Sequence, residues 1–473
     1  MNRIRSWRAW WSALLPDTVT RWALLVGLLG AMPLVLLTPP FQVADEPQHF
    51  ERAYQISRLD LIGHVHGREA GAVLPVSLSA MARDLLGTDA IDADRPITPR
   101  PLSASLAGLG RPLDPDRVAF TAFTGAAPYS PLPYVPQAIA IAIGRSFGMG
   151  PLALLYAARL ANALAAVVLL ALAVRTAPVA REAFAFAGLM PMALYQYASA
   201  SPDAVTIATA LLFTALAIRA IVRGWTGRSV AAAALLGAIF CSHKLVYAPV
   251  LLIGLVPAMA GGRARLRTIG LSVVVALFAL GVAIGWFALN SGLALTRLPD
   301  TNVHAQAAFL IGRPMAFPAI LWASLQSYAM LYYFGMVGAI GWLVVPLPTT
   351  AYMLALFGMV LTVCIRRPDE PVLPRLVGVW QLLLVAGGIA LVALALYLTW
   401  NTVGSAAILG VQGRYFLPLL PLLLVACTLL VRLPPDAARA RLFGRIVAVV
   451  AVLQVLVLGA TVVTAYSVFG GAM

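Results

Sequence analysis

Charge is what this sequence has least of. Only 11% of its residues are charged, where a soluble domain carries about 25%, so a water-soluble globule is excluded. Lysine is nearly absent: Lys244 is the one lysine among 33 basic residues. Cysteine is scarce as well. Cys241, Cys364 and Cys427 each lie in or beside an apolar run, which excludes a disulfide framework or zinc-knuckle spacing and leaves them as small packing residues. No phosphate-binding P-loop, no dinucleotide fingerprint after a strand and no G-x-S-x-G elbow occurs. Internal repeats are missing, which argues against a repeat-built transporter. The net charge of +15 does not point to nucleic acid, because the arginines sit in short clusters between apolar runs, as membrane topology requires.

What the chain has is apolar length, 61% of its residues. The segments 22–38, 151–174, 182–198, 204–222, 229–242, 245–260, 269–290, 348–365, 375–399, 414–431 and 446–468 reach or approach the ~17–25 residues of a spanning helix. With the N-terminus in the cytoplasm, the basic turns 175–181, 219–228, 261–267, 366–375 and 432–445 all fall inside. That alternation requires the run 131–147, "PLPYVPQAIAIAIGRSF", not to cross alone, and its prolines predict an interfacial or re-entrant helix. The run 318–345 stays open between one long surface helix and a hairpin pair, so the count is 11 or 13 with the C-terminus outside. Arg3, Arg5, Arg8 and Arg21 flank the first run, and no small-x-small site follows, which predicts an uncleaved signal anchor. The expected fold is an all-α polytopic membrane protein, a single integral domain over 1–473 with 11 to 13 transmembrane helices.

Two external segments result, 39–150 and 291–347. The first holds 11 of the 18 acidic residues, Asp89, Asp92 and Asp94 among them, and is expected to carry juxtamembrane helices. Just past the first span comes "QVADEPQHFERAYQ", with Asp45, Glu46 and His49 in five positions. Pro47 fits a first helical turn, so Asp45 or Glu46 is expected to cap a helix along the membrane surface. A carboxylate at that boundary can also act as general base toward a hydroxyl. Asp45 and Glu46 together could hold a divalent cation through oxygen, while the two histidines of "HVHG" (His64, His66) lack a firm third ligand. Asp203 in "SASPDA" is a second acid at an outer helix end, open between N-cap and site residue. Lys244 and Arg414, in "VQGRYFLPLLP" beside Tyr415, are cations at the same level, open between snorkelling anchors and a phosphate clamp. Arg159 lies inside a span and must pair or face a wet cavity.

The stretches "DEPQHFERAYQIS", "SPDA", "HK" at 243–244 and "QGRYFLPLLP" resemble a bacterial membrane family known as domain of unknown function 2142, related to the C-type (GT-C) glycosyltransferases. The resemblance covers most of the chain. It implies a GT-C-like fold in a bacterial inner membrane, with a periplasmic or extracellular active face and a polyprenyl-phosphate-linked sugar as donor. It further implies Asp45 as catalytic base with Glu46 beside it, Asp203 as a second catalytic carboxylate, and Lys244 and Arg414 on the lipid phosphate. His49, Arg159 and Tyr415 complete the expected binding set. The acceptor is a cell-envelope glycan or lipid. Transport of lipid-linked sugars, or their polymerisation or ligation, are the competing functions.

Overall fold

Apolar length makes these helices, and prolines or polar caps end them. The computed structural model of the chain describes residues 17–86, 106, 108–256, 262–293 and 300–466. Arg3, Arg5 and Arg8, the acids Asp89, Asp92 and Asp94, and the C-terminal tail from residue 467 lie outside the described residues. Helix α1 (Thr18–Leu37) opens on Asp17, whose carboxylate accepts from the Thr20 amide at 2.9 Å, and closes just before Pro39 and Pro40.

The segment between the first two spans forms a layer of its own. It contains α2 (Glu46–Ser57), β1 (His64–His66), β2 (Glu69–Pro75), α3 (Val76–Leu86), β3 (Val118–Ala122) and α4 (Val135–Ser146). The strands make an antiparallel sheet in the order β1-β2-β3, with Val65 opposite Ala70 and Val73 opposite Phe120. The chain is otherwise helical, as the all-α expectation has it, and this small sheet is an addition to it. Gly71 lets β2 and β3 close up, because a Cβ there would strike the Thr121 carbonyl. Phe41, Phe50, Tyr54, Leu74, Phe123 and Ile141 fill the core of this layer. Helix α2 is buried from Glu46 through Ile56 except at Pro47 and Gln48. At 12 residues, α4 is about 18 Å long, too short to cross alone.

The bundle continues with α5 (Pro151–Thr176), α6 (Arg181–Gly188) and α7 (Pro191–Tyr197), then α8 (Asp203–Arg223) and α9 (Gly227–His243). A 3-10 segment (Leu245–Leu255) and α10 (Gly262–Leu289) follow. Next, α11 (Val303–Gly312) meets α12 (Ala316–Val337) at 107°, and a short hairpin of β4 (Ala339–Ile340) and β5 (Val345–Pro346) succeeds it. The run 318–345 is thus one helix and a turn. The chain ends in α13 (Thr349–Cys364), α14 (Arg375–Trp400), a 3-10 turn (Gly413–Leu419) leading into α15 (Leu420–Val431), and α16 (Ala437–Ala465).

Among the described residues, seven helices are long and apolar enough to cross a membrane, or eight if the bent pair counts as one span. The other expected spans are short: 182–198 is broken at Pro191, α9 has 17 residues, the 3-10 segment 11 and α13 16. The count of 11 to 13 is not reached on length alone. Of the most apolar stretch of α8, 83% is buried, against 28% for α10 and 33% each for α14 and α16. So α8 is the central helix, and the other three turn Leu277, Phe278, Leu383 and Leu453 outward, a surface suited to lipid.

Candidate active site

Four chain segments meet at one end of the bundle: the start of α2, the start of α8, the end of α9 and the 3-10 turn at 413–419. Asp45 precedes α2 with a left-handed backbone, φ 65° and ψ 0°, a conformation Asp tolerates better than most residues. Its carboxylate makes no capping bond to the helix, contrary to the expectation, and accepts from Arg414 Nη2 at 2.9 Å. Asp203 is the first residue of α8, with Pro202 in the cap position. Lys244 Nζ lies 2.5 Å from its Oδ1 and Arg414 Nε 3.9 Å from its Oδ2.

Arg414 also donates through Nε to Gln412 Oε1 at 2.7 Å. Its position depends on the glycine before it, because a Cβ at 413 would collide with the Tyr332 carbonyl and the Met336 amide of α12. Tyr415 offers its ring to both cations, 4.6 Å from Lys244 Nζ and 5.7 Å from Arg414 Cζ. The side chain of Asp45 is 42% exposed and that of Arg414 only 4%. The cluster has one wet side and one dry side.

Aromatic rings wall the cluster. His49, one turn past Asp45, meets the Tyr134 hydroxyl through Nδ1 at 2.8 Å and stacks on Tyr129 at 6.2 Å. Tyr129 in turn meets the His243 ring edge-on at 4.6 Å. Burial pushes the His49 imidazole down to about 4, against the pull of Asp45 and Asp203, so it is neutral at pH 7. The Thr206 hydroxyl reaches the Pro202 carbonyl and lies 2.7 Å from His243 Nδ1. Which partner donates at this contact depends on the tautomer of His243. Its buried Nε2 has no partner among the described residues.

The region that carries these groups has a family. A model described as predicted membrane protein (DUF2142) matches residues 28–423, a stretch that takes in Asp45, Asp203, Lys244 and Arg414. The chain belongs to this family. No curated protein and no solved structure matches it.

Two expected site residues of this DUF2142 protein stand apart from the open cluster. Arg159 Nε donates to Glu46 Oε1 at 2.7 Å and Nη2 to Oε2 at 2.5 Å. The amides of Ala200 and Phe41 each reach a Glu46 oxygen at 3.0 Å. Both side chains are fully buried. Glu46 as a catalytic residue and Arg159 as a substrate ligand are therefore corrected, since each fills the other's bonding capacity in a dry place. The divalent cation expected between Asp45 and Glu46 does not fit either: the Glu46 oxygens are taken by donors and Asp45 faces a guanidinium. His64 lies 3.8 Å from Asp60 on an exposed hairpin, away from the cluster.

Tyr129 and Tyr134 are missed by sequence reasoning, and His243 enters it only in the "HK" pair. The tyrosines belong to "PYSPLPY", a proline-aromatic stretch that no periodicity assigns to a site. Arg52, buried in α2, holds that stretch by donating to the Tyr129 carbonyl at 3.0 Å and the Leu61 carbonyl at 2.7 Å.

Proposed function

We propose that this protein is a membrane glycosyltransferase of GT-C type that moves a sugar from a polyprenyl-phosphate donor to a glycan or lipid acceptor. The observation that carries the proposal is the pairing of a half-exposed Asp45 with Arg414 and of Asp203 with Lys244, directly past the first membrane helix. Carboxylates and cations at headgroup depth match the two needs of such a transfer: a proton acceptor and a counter-charge for phosphate.

In the proposed reaction the acceptor hydroxyl attacks the anomeric carbon and its proton passes to Asp45. The bond between that carbon and the phosphate oxygen breaks, and polyprenyl phosphate leaves with the electron pair, facing Arg414 and Lys244. Attack opposite the leaving group inverts the anomeric centre. A donor phosphate competes with Asp45 for Arg414. Once Arg414 turns to the phosphate, Asp45 loses its counter-ion and becomes a better base. Asp203 keeps Lys244 in place, and the neutral His49 with Tyr129 and Tyr415 lines the acceptor side. The arginine-rich turns support a cytoplasmic N-terminus and a site at the outer face of a bacterial inner membrane.

The broken span α6–α7, buried throughout except at Arg181, favours a second reading, transport of a lipid-linked sugar, because transporters bind at interrupted helices. Purified protein in lipid, given a panel of polyprenyl-phosphate sugars, separates the two. Release of free polyprenyl phosphate is the expected result. Movement of intact donor across the bilayer without release would replace the transferase reading with transport.

A further inference from the structure

Asp45 and Glu46 share a peptide bond, yet their side chains go to opposite places. We infer that the buried Glu46–Arg159 pair is a positioning device that turns Asp45 away from its own helix and toward Arg414. The pair touches no reactant in the proposed transfer, so both are positioning residues. The inference takes its purpose from that reading, but its geometry stands without it.

An aspartate in the N-cap position ordinarily folds back onto the first free amides of its helix. Asp45 does not, and its left-handed backbone is a conformation that persists only when surrounding structure holds it. Phe41, at φ 63°, is left-handed too, so the loop 41–45 begins and ends on a disfavoured residue. Glu46 spans that loop, because its Oε2 accepts from the Phe41 amide. Arg159 locks what precedes it, donating to the Thr38 carbonyl at 2.7 Å and the Pro39 carbonyl at 3.0 Å. The Trp342 indole on the Phe41 carbonyl and the Tyr195 hydroxyl on the Gln42 carbonyl fix the middle.

The same pair reaches the other carboxylate. Glu46 Oε1 accepts from the amide of Ala200, three residues before Asp203. One dry ion pair thus ties the exit of α1, the approach to α2 and the approach to α8. Those approaches carry Asp45 and Asp203, and a fully satisfied buried network of this kind holds a unique arrangement.

The test reads position directly in the full-length protein in lipid. With Asp45→Cys, an anionic thiosulfonate should modify the thiol about tenfold faster than a cationic one, because Arg414 and Lys244 flank it. Adding Glu46→Gln and Arg159→Gln removes both buried charges together, and the preference should fall to about one as the loop leaves the cations. Arg159→Lys keeps the charge but not the fork and should leave about a threefold preference. Tyr415→Cys, on a different segment beside the same cations, should keep its anionic preference in every background. An unchanged preference at 45 in either folded variant overturns the inference. So does equal loss at 45 and 415, which would mean general loosening. Should the double variant not fold, Arg159→Lys decides alone. No sugar transfer is measured, so failure of the donor assay does not affect this result.

Discussion

Two ionic clusters lie one peptide bond apart and are built on opposite plans. In Glu46–Arg159 each carboxylate oxygen has two donors, and neither side chain reaches the surface. In the neighbouring cluster Asp45 and Asp203 share Arg414, Lys244 serves Asp203, and one side stays open to water. A closed pair has no bonding capacity left for a ligand and is ruinous to break. An open one, with Asp45 at the water side, can exchange partners. Chemistry belongs to the second plan and architecture to the first.

The largest effect should come from breaking the closed pair. Arg159→Ala strands the Glu46 carboxylate in a dry place, at a cost of roughly 3–5 kcal/mol. Thermal unfolding in detergent should show a large drop or no folded protein. Retention of normal stability would mean that water reaches Glu46 and that the two plans do not differ.

Asp45→Asn tests the open cluster. Asp45 makes no capping bond, and an Asn at 45 can still accept from Arg414 through its amide oxygen, so stability should fall by only about 1 kcal/mol. Sugar transfer should fall by roughly 10²–10⁴, the contribution of general-base assistance. Near-normal transfer would remove Asp45 as the base and make Asp203 the next candidate.

Arg414→Lys is a finer probe. The charge remains, but one ammonium cannot keep Gln412, Asp45 and Asp203 together as the guanidinium does. Donor use should weaken about tenfold, chiefly in KM, with folding intact. An unchanged KM would reduce Arg414 to an anchor.

The smallest effect concerns a carboxyl that belongs to neither cluster. Burial in the layer between the first two spans pushes Glu51 up to about 8, against the pull of Arg83. The folded state therefore holds a proton that the unfolded chain loses near 4.5, and stability should decline as pH rises from about 4.5 to about 8. Glu51→Gln should flatten that slope and raise the melting temperature at pH 8 by a few degrees. A slope unchanged by the substitution would place its source elsewhere.

Much of the helical plan is legible in the sequence, because apolar length alone marks the long spans from α1 to α16. The sheet is not, since "HVHGREAGAVLP" mixes polar and small residues and pairs through backbone that Gly71 allows close. Asp45, Asp203, Lys244 and Arg414 are legible as polar residues at helix ends, and the fold brings them within bonding distance. What cannot be read is which neighbour of a pair faces water. Glu46 and Asp45 differ by one methylene and one position, and only Arg159, 113 residues later, separates their fates. The aromatic wall is hidden for the same reason: Tyr134 reaches His49 across 85 residues, and local pattern carries no trace of it.

The separation of Asp45 from Arg414 by 369 residues also sets a timetable. At a synthesis rate of roughly 5–20 residues per second, Asp45 precedes its partner by roughly 20–70 seconds, whereas Glu46 meets Arg159 within roughly 6–23 seconds. The nascent chain can close the architectural pair while most of the bundle is still unmade. The cluster proposed to do chemistry stays incomplete until the fifteenth helix is being threaded into the membrane, so a chain interrupted before then carries an aimed carboxylate and no counter-charge to meet it.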